Sequence, residues 1–167
     1  QQSMNRTTLE EIKRDNYTNE QYLEFVKELK ARGKAPGSAL IIPLPGETEE
    51  SYQESVKILI DNGVTTGTYT LMMLPGAELG REKARKEYGM TSRFRMIPRQ
   101  FGEYGGEKVF EIEEVCVATN TMPFDAYLRC RRFSFLMYVL GLAIFDPIRK
   151  YLTELSISYH DVVRGIH

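Results

Sequence analysis

Tryptophan is absent from this 167-residue chain, and cysteine and histidine occur only twice each. Cys116 and Cys130 stand fourteen positions apart, a spacing that fits neither a disulfide framework nor a CxxC metal clip. Both read as ordinary buried thiols, and a reducing, cytoplasmic setting suits them. His160 and His167 have only Asp161 near them at a ligating spacing, so the sequence offers no metal set. It offers no Ser/His/Asp or Cys/His grouping for nucleophilic catalysis either. A charge surplus is also missing: 22 Lys plus Arg stand against 23 Asp plus Glu, which argues against a nucleic-acid partner and against a charged, disordered tail. The longest apolar run, Phe133 to Phe145, has thirteen residues, short of the roughly twenty that span a bilayer. It is expected to be a buried helix and not a membrane span. The chain starts at Gln1 with no initiator Met, basic leader or apolar leader, and so reads as part of a longer polypeptide.

What the sequence does hold is a pair of similar stretches. SALIIPLPGET (Ser38 to Thr48) is an apolar strand that breaks at a Pro-Gly turn and restarts as an acidic helix. TLMMLPGAEL (Thr70 to Leu79) repeats the plan about thirty residues later, the length of one βαβ unit. Two such units imply a parallel sheet, in which ligands bind beyond the carboxyl ends of the strands.

The elements around the pair can be placed. Asn5, Thr7 or Thr8 caps a short helix that should end near Asn16, and Thr18 with Gln21 resembles a capping box for a second helix closing at Gly33. Tyr22, Phe25, Val26 and Leu29 form its apolar stripe. A strand over Ser38 to Leu44 leads to a helix that starts at Thr48, carries Glu49 and Glu50 in its first turn, and faces inward through Tyr52, Val56, Leu59 and Ile60. A strand over Thr65 to Leu74 and a charged helix over Glu78 to Tyr88 follow. Arg93 to Gly106 lacks a clear period and reads as loop, with room for a short strand, and Val109 to Ala118 as either strand or helix. Helical patterns then cover Pro123 to about Leu142, Asp146 to Leu155 and Tyr159 to Ile166. The chain divides softly near Gly89, into residues 1–90, an α/β portion, and residues 91–167, a loop and then mainly helix.

Among candidate binding residues, Gly46 and Gly76 let the main chain approach a ligand above the sheet. Arg14 is either a surface side chain or a clamp for a carboxylate or phosphate, since a guanidinium donates two parallel hydrogen bonds. Gln2 and Ser3 either hydrogen-bond a ligand hydroxyl from a strand end or fill a turn. Glu47 and Glu78 read as helix N-terminal charges. Tyr69, Arg99, Phe101 and Tyr104 either line a substrate opening or pack the irregular segment against the helices.

QQSM followed by LEEIKR, then ALIIPLPGETEESYQESVKILIDNGV, then YTLMMLPGAELGREKARKEYGM, resembles the second half of a radical S-adenosylmethionine enzyme core. The likeness covers roughly residues 1 to 90, and is nearest to the class that carries an upstream cobalamin-binding domain. It implies an α/β fold: a partial (β/α) barrel fragment with parallel strands, followed by a mostly α-helical C-terminal region. It implies S-adenosylmethionine, a [4Fe-4S] cluster and cobalamin as cofactors, a small-molecule substrate, and a methyl transfer or related C–H functionalisation. By the resemblance Gln2 and Ser3 contact the ribose, Arg14 reaches the methionine carboxylate, and Ile42 and Leu44 flank the adenine opposite Met73 and Leu74. Tyr69, Arg99 and Tyr104 are the expected substrate contacts. Pro43 stands where the family's pattern has a glycine, which removes a backbone donor beside the adenine. The CxxxCxxC cluster loop is absent, so this chain alone is expected to be inactive and to rely on the remainder of the same polypeptide. Alternatively, it is a non-catalytic α/β nucleotide-binding module, or one that self-associates through an open sheet edge.

Overall fold

The computed structural model describes residues 1–14 and 17–166. The expected helix end near Asn16, and His167, lie outside the described residues. Asn5 caps α1 (Arg6–Glu11) by accepting from the Thr7 amide at 3.0 Å. The predicted capping box forms at the start of α2 (Asn19–Ala31), where Thr18 and Gln21 exchange side-chain and backbone hydrogen bonds. Val26 is buried on that helix, while Phe25, expected in the stripe, is exposed. Thr48 caps α3 (Glu49–Asp61) in the same reciprocal way with Ser51, and Tyr52, Val56 and Leu59 are buried as their spacing requires.

Between these helices lie β1 (Gly37–Ile42) and β2 (Thr65–Thr70), paired in parallel with Ile42 opposite Thr70. Both stop short of the predicted ends. Pro43 has no amide to continue the ladder, and Leu71 to Met73 turn aside to pair with another strand. The Cys116 amide donates to the Leu71 carbonyl at 2.8 Å, and the Met73 amide to the Glu114 carbonyl at 2.9 Å. The predicted helix over Glu78 to Tyr88 is broken into a single 3-10 turn, Glu78–Gly80, and α4 (Glu82–Glu87). Arg81 is extended between the two, and at Gly80 the chain passes so close that a Cβ would lie 2.5 Å from the Leu74 carbonyl oxygen.

The largest departure comes next. Arg93 to Gly106, expected as loop with at most a short strand, belongs mostly to the fourteen-residue β3 (Thr91–Tyr104), which pairs antiparallel with β4 (Glu107–Ala118) in a long hairpin. The C-terminal part is therefore not helical until α5 (Phe124–Leu140), followed by a 3-10 turn at Ala143–Phe145, α6 (Asp146–Glu154) and α7 (Tyr159–Ile166). The fold is mixed α/β, with seven α-helices, one parallel strand pair and one antiparallel pair among the described residues.

One apolar core runs from Met4 through Leu40, Ile42, Tyr52 and Leu59 to Val117, Phe133 and Val163, so residues on both sides of Gly89 share it. Phe133 meets Tyr52 edge-on, with ring centroids 6.4 Å apart, and His160 at 5.3 Å. Both ring nitrogens of His160 face acceptors, Nδ1 the Asp161 carboxylate at 3.0 Å and Nε2 the Gln53 carbonyl at 3.1 Å. Cys116 and Cys130 are free and buried, as expected. The run from Phe133 to Phe145 is only half buried: Phe133 and Met137 face the core, while Phe135, Tyr138, Leu142 and Ile144 face outward. No helix among the described residues is long and apolar enough to cross a membrane.

The hairpin is anchored at its base by Arg85, which donates to both oxygens of Glu114 at 2.5 and 2.7 Å, with the Ser92 hydroxyl donating a third bond. The Arg85 guanidinium and then the Ser92 hydroxyl hold the Glu114 carboxyl at about 2, below its ordinary 4.5. A depressed carboxylate contributes stability that is present above the unfolded value and lost as pH falls through the folded one. Urea titrations from pH 4.5 down to 2 should therefore show wild-type stability falling, and Glu114→Gln should flatten that limb by about one proton's linkage.

Candidate functional site

Three chain segments end together at the carboxyl edge of the parallel pair. The Ile41 amide donates to the Gln2 carbonyl at 2.9 Å, and Ser38 bonds Gln1, so the N-terminal segment runs alongside β1 in the same direction. On the other side the Leu71 amide donates to the Ile42 carbonyl at 2.9 Å. The two Pro-Gly turns follow directly, and Gly46 and Gly76 both have positive φ, 76° and 85°. At Gly46 the left-handed backbone is what favours glycine, since a Cβ there would make only ordinary contacts, 3.4 Å from the Glu11 side chain and 3.6 Å from Thr8. Gly76 has open space around it.

Behind the first turn sits Glu47, only 1 % exposed. Its carboxylate accepts from the hydroxyls of Ser3, at 2.5 Å, and Ser51. Its backbone carbonyl accepts from the Thr121 hydroxyl at 2.7 Å. The residue thus ties together the N-terminal segment, the β1–α3 turn and the segment after β4. Burial raises its pKa above 4.5, against the lowering influence of Ser3, Ser51 and Asn5.

The expected cofactor residues divide in two. Gln2 is half-buried at the strand edge, and Leu74 and Arg14 are exposed. Arg14 borders a cavity of about 260 Å³ with Met4, Leu9, Tyr17 and Asn19. Ser3, Ile42, Leu44 and Met73 are buried. Ser3 gives its proton to Glu47 and accepts from the Asn5 amide at 3.0 Å, so it serves the turn. Leu44 and Met73, set on opposite sides of an adenine by the resemblance, pack in one cluster with Leu71 and Cys116, and Ile12, Leu79 and Met90 lie against it. Ile42 belongs to the main core.

The expected substrate residues do not gather. Tyr69, exposed at the end of β2, shares strand parity with Leu71, Met73 and Cys116. Tyr104 pairs with Glu107 near the hairpin tip on the opposite parity, and Arg99 lies in the irregular stretch between Met96 and Phe101 with φ 67°. Glu78, read as a helix-start charge, does open the 3-10 turn, and it also forms an ion pair with Lys13 across the second Pro-Gly turn. That pair, with Glu11, Leu79 and Tyr88, lines a cavity of about 350 Å³ between α1 and α4. Lys13 and Glu47 were not legible as site residues, because their partners are distant in sequence. Among the described residues no three His, Cys, Asp or Glu side chains gather as a metal-binding group.

Compared with known protein families and with curated proteins, the chain matches no family model and no curated sequence.

Proposed function

We propose that this chain is a portion of a radical S-adenosylmethionine enzyme of the cobalamin-linked class. In this reading it forms part of a (β/α) barrel, supplies one wall of the S-adenosylmethionine site, and takes its iron–sulfur cluster from the remainder of the polypeptide. The observation that supports it most is the alignment of Gln2, β1 and β2, three parallel segments adjacent in chain order with their carboxyl ends at one edge. In open and closed parallel sheets alike, that edge is where ligands bind.

In this reading the strand ends receive the adenosyl part of the ligand and Arg14, beside its own cavity with Met4 and Leu9, takes the carboxylate tail. Gln2 lies half-buried at the strand edge, Gly76 has open space around it, and the Arg14 guanidinium is exposed. Ser3 acts from behind, holding the Glu47 turn in place. When bound, S-adenosylmethionine supplies the radical chemistry after reduction by the cluster; this chain's residues bind and orient it. Arg14→Ala in the longer protein should weaken S-adenosylmethionine binding roughly ten- to a hundredfold, the loss of a charge-assisted bond. Unchanged affinity in calorimetry returns Arg14 to the protein surface.

A second reading is a non-catalytic module, since Leu44 and Met73 lie in one buried cluster and not on opposite sides of a gap for the adenine. Anaerobic reconstitution of the longer protein with iron and sulfide separates the two. Cluster absorbance with reductive cleavage of S-adenosylmethionine supports the enzyme; an upstream reading frame with no CxxxCxxC sinks it.

A further inference from the structure

The hairpin of β3 and β4 carries a second surface. Cross-strand partners share a face, and the register places Phe94, Met96, Phe101, Phe110 and Ile112 together on the face that carries Cys116 at its base. The opposite face is charged in its middle, with Arg95 paired to Glu113 at 2.6 Å. This alternation is that of a half-buried antiparallel sheet, yet the five apolar side chains are 58 to 73 % exposed. Together they present on the order of 600 Å² of apolar surface, at the upper limit of what a monomer leaves bare. A stable interface takes about 800 Å² from each partner. A two-stranded hairpin is also marginal by itself and gains order when a face is covered.

We propose that a second copy of this chain covers that face, hairpin stacked on hairpin about a two-fold axis. The charge pattern fits this occupant. Glu103 and Lys108 face each other across the tip, and Arg85 and Glu114 close the base, with Met96, Phe101, Phe110 and Ile112 between them. Antiparallel stacking brings Lys108 of one copy over Glu114 of the other and Glu103 over Arg85, twice over, as an isologous contact requires. Pairing through the β3 edge is disfavoured, because the register shift between Met96 and Phe101 holds Pro98 and the positive-φ Arg99. The inference stands on the hairpin alone and does not depend on the cofactor reading.

Light scattering on the chain at micromolar concentration should give twice its 19.3 kDa mass. Phe101→Asp combined with Phe110→Asp should give a monomer with an unchanged far-UV spectrum, and Ile112→Arg should do the same if that pair misfolds. Lys108→Glu should weaken the dimer about tenfold at low salt and less at high salt. A wild-type monomer, which leaves the face to another protein segment or a substrate, overturns the proposal. So does a dimer that persists in the folded aspartate or arginine variants.

Discussion

Replacing Phe133 with alanine should lower the free energy of unfolding by about 3–5 kcal/mol, the usual cost of deleting a fully buried aromatic ring. Phe133 is entirely enclosed, and it is the ring through which α5 meets both Tyr52 on α3 and His160 on α7. Its removal leaves a cavity at the junction of three helices whose other contacts are pinned by ion pairs such as Arg129 with Glu49, so collapse into the space is limited. Phe135, two positions along the same helix, is largely exposed. Its replacement by alanine should stay within about 0.5 kcal/mol. Urea denaturation of both variants gives the comparison, and the slope of the transition should be unchanged if only the folded state is affected. Because the core runs from Met4 to Val163, far-UV and near-UV signals should lose structure in one coincident transition. A cost below 1 kcal/mol at Phe133, or two separated transitions, would mean that α5 and α7 are not docked on α3.

Where a signal was local, the residues announced the structure. Thr18 and Thr48 each carry a polar partner three residues on, and both helix starts form reciprocal caps. The parallel pairing of β1 and β2 follows from two strand-turn units at βαβ spacing. The hairpin was hidden because its period of two breaks where β3 bulges: Phe94 and Met96 keep step, four residues intervene, and Phe101 resumes on the same face. Alternation that slips across an irregularity reads as no period at all. The run from Phe133 to Phe145 misled for a different reason, since apolar residues on the outer face of α5 look the same in sequence as those turned inward. At the candidate site, the meeting of Gln2 with the ends of β1 and β2 was legible through chain order. The role of Glu47 was not, for a carboxylate just before a helix cap reads as a solvated charge whatever covers it. Its partners Ser3 and Thr121 are 44 and 74 positions away.

Glu47 is consequently the position where a small change should matter most outside the apolar core. Glu47→Leu keeps similar bulk but removes the acceptors of Ser3 and Ser51. The buried Ser3 hydroxyl then loses its acceptor, at about 1–3 kcal/mol if water does not reach it, while the half-buried Ser51 hydroxyl keeps the Thr48 carbonyl at 3.3 Å. A total loss of roughly 1–3 kcal/mol is expected, with the N-terminal segment released from β1. Glu47→Gln keeps one carbonyl acceptor and should cost less. The pH dependence separates this node from Glu114. Burial raises the folded pKa of Glu47 above 4.5, so the folded state holds a proton that the unfolded state has given up, and stability declines as pH rises through that window. Glu114, held at about 2, produces the opposite slope, and only below 4.5. Glu47→Gln should therefore remove a decline above pH 4.5 while leaving the acid limb intact, and Glu114→Gln should do the reverse. Hydrogen exchange at the Ile41 amide, which donates to Gln2, should quicken in Glu47→Leu and remain slow in Glu114→Gln. If that amide stays protected in Glu47→Leu, Gln2 is held at the strand edge by other contacts and Glu47 does not organise the site.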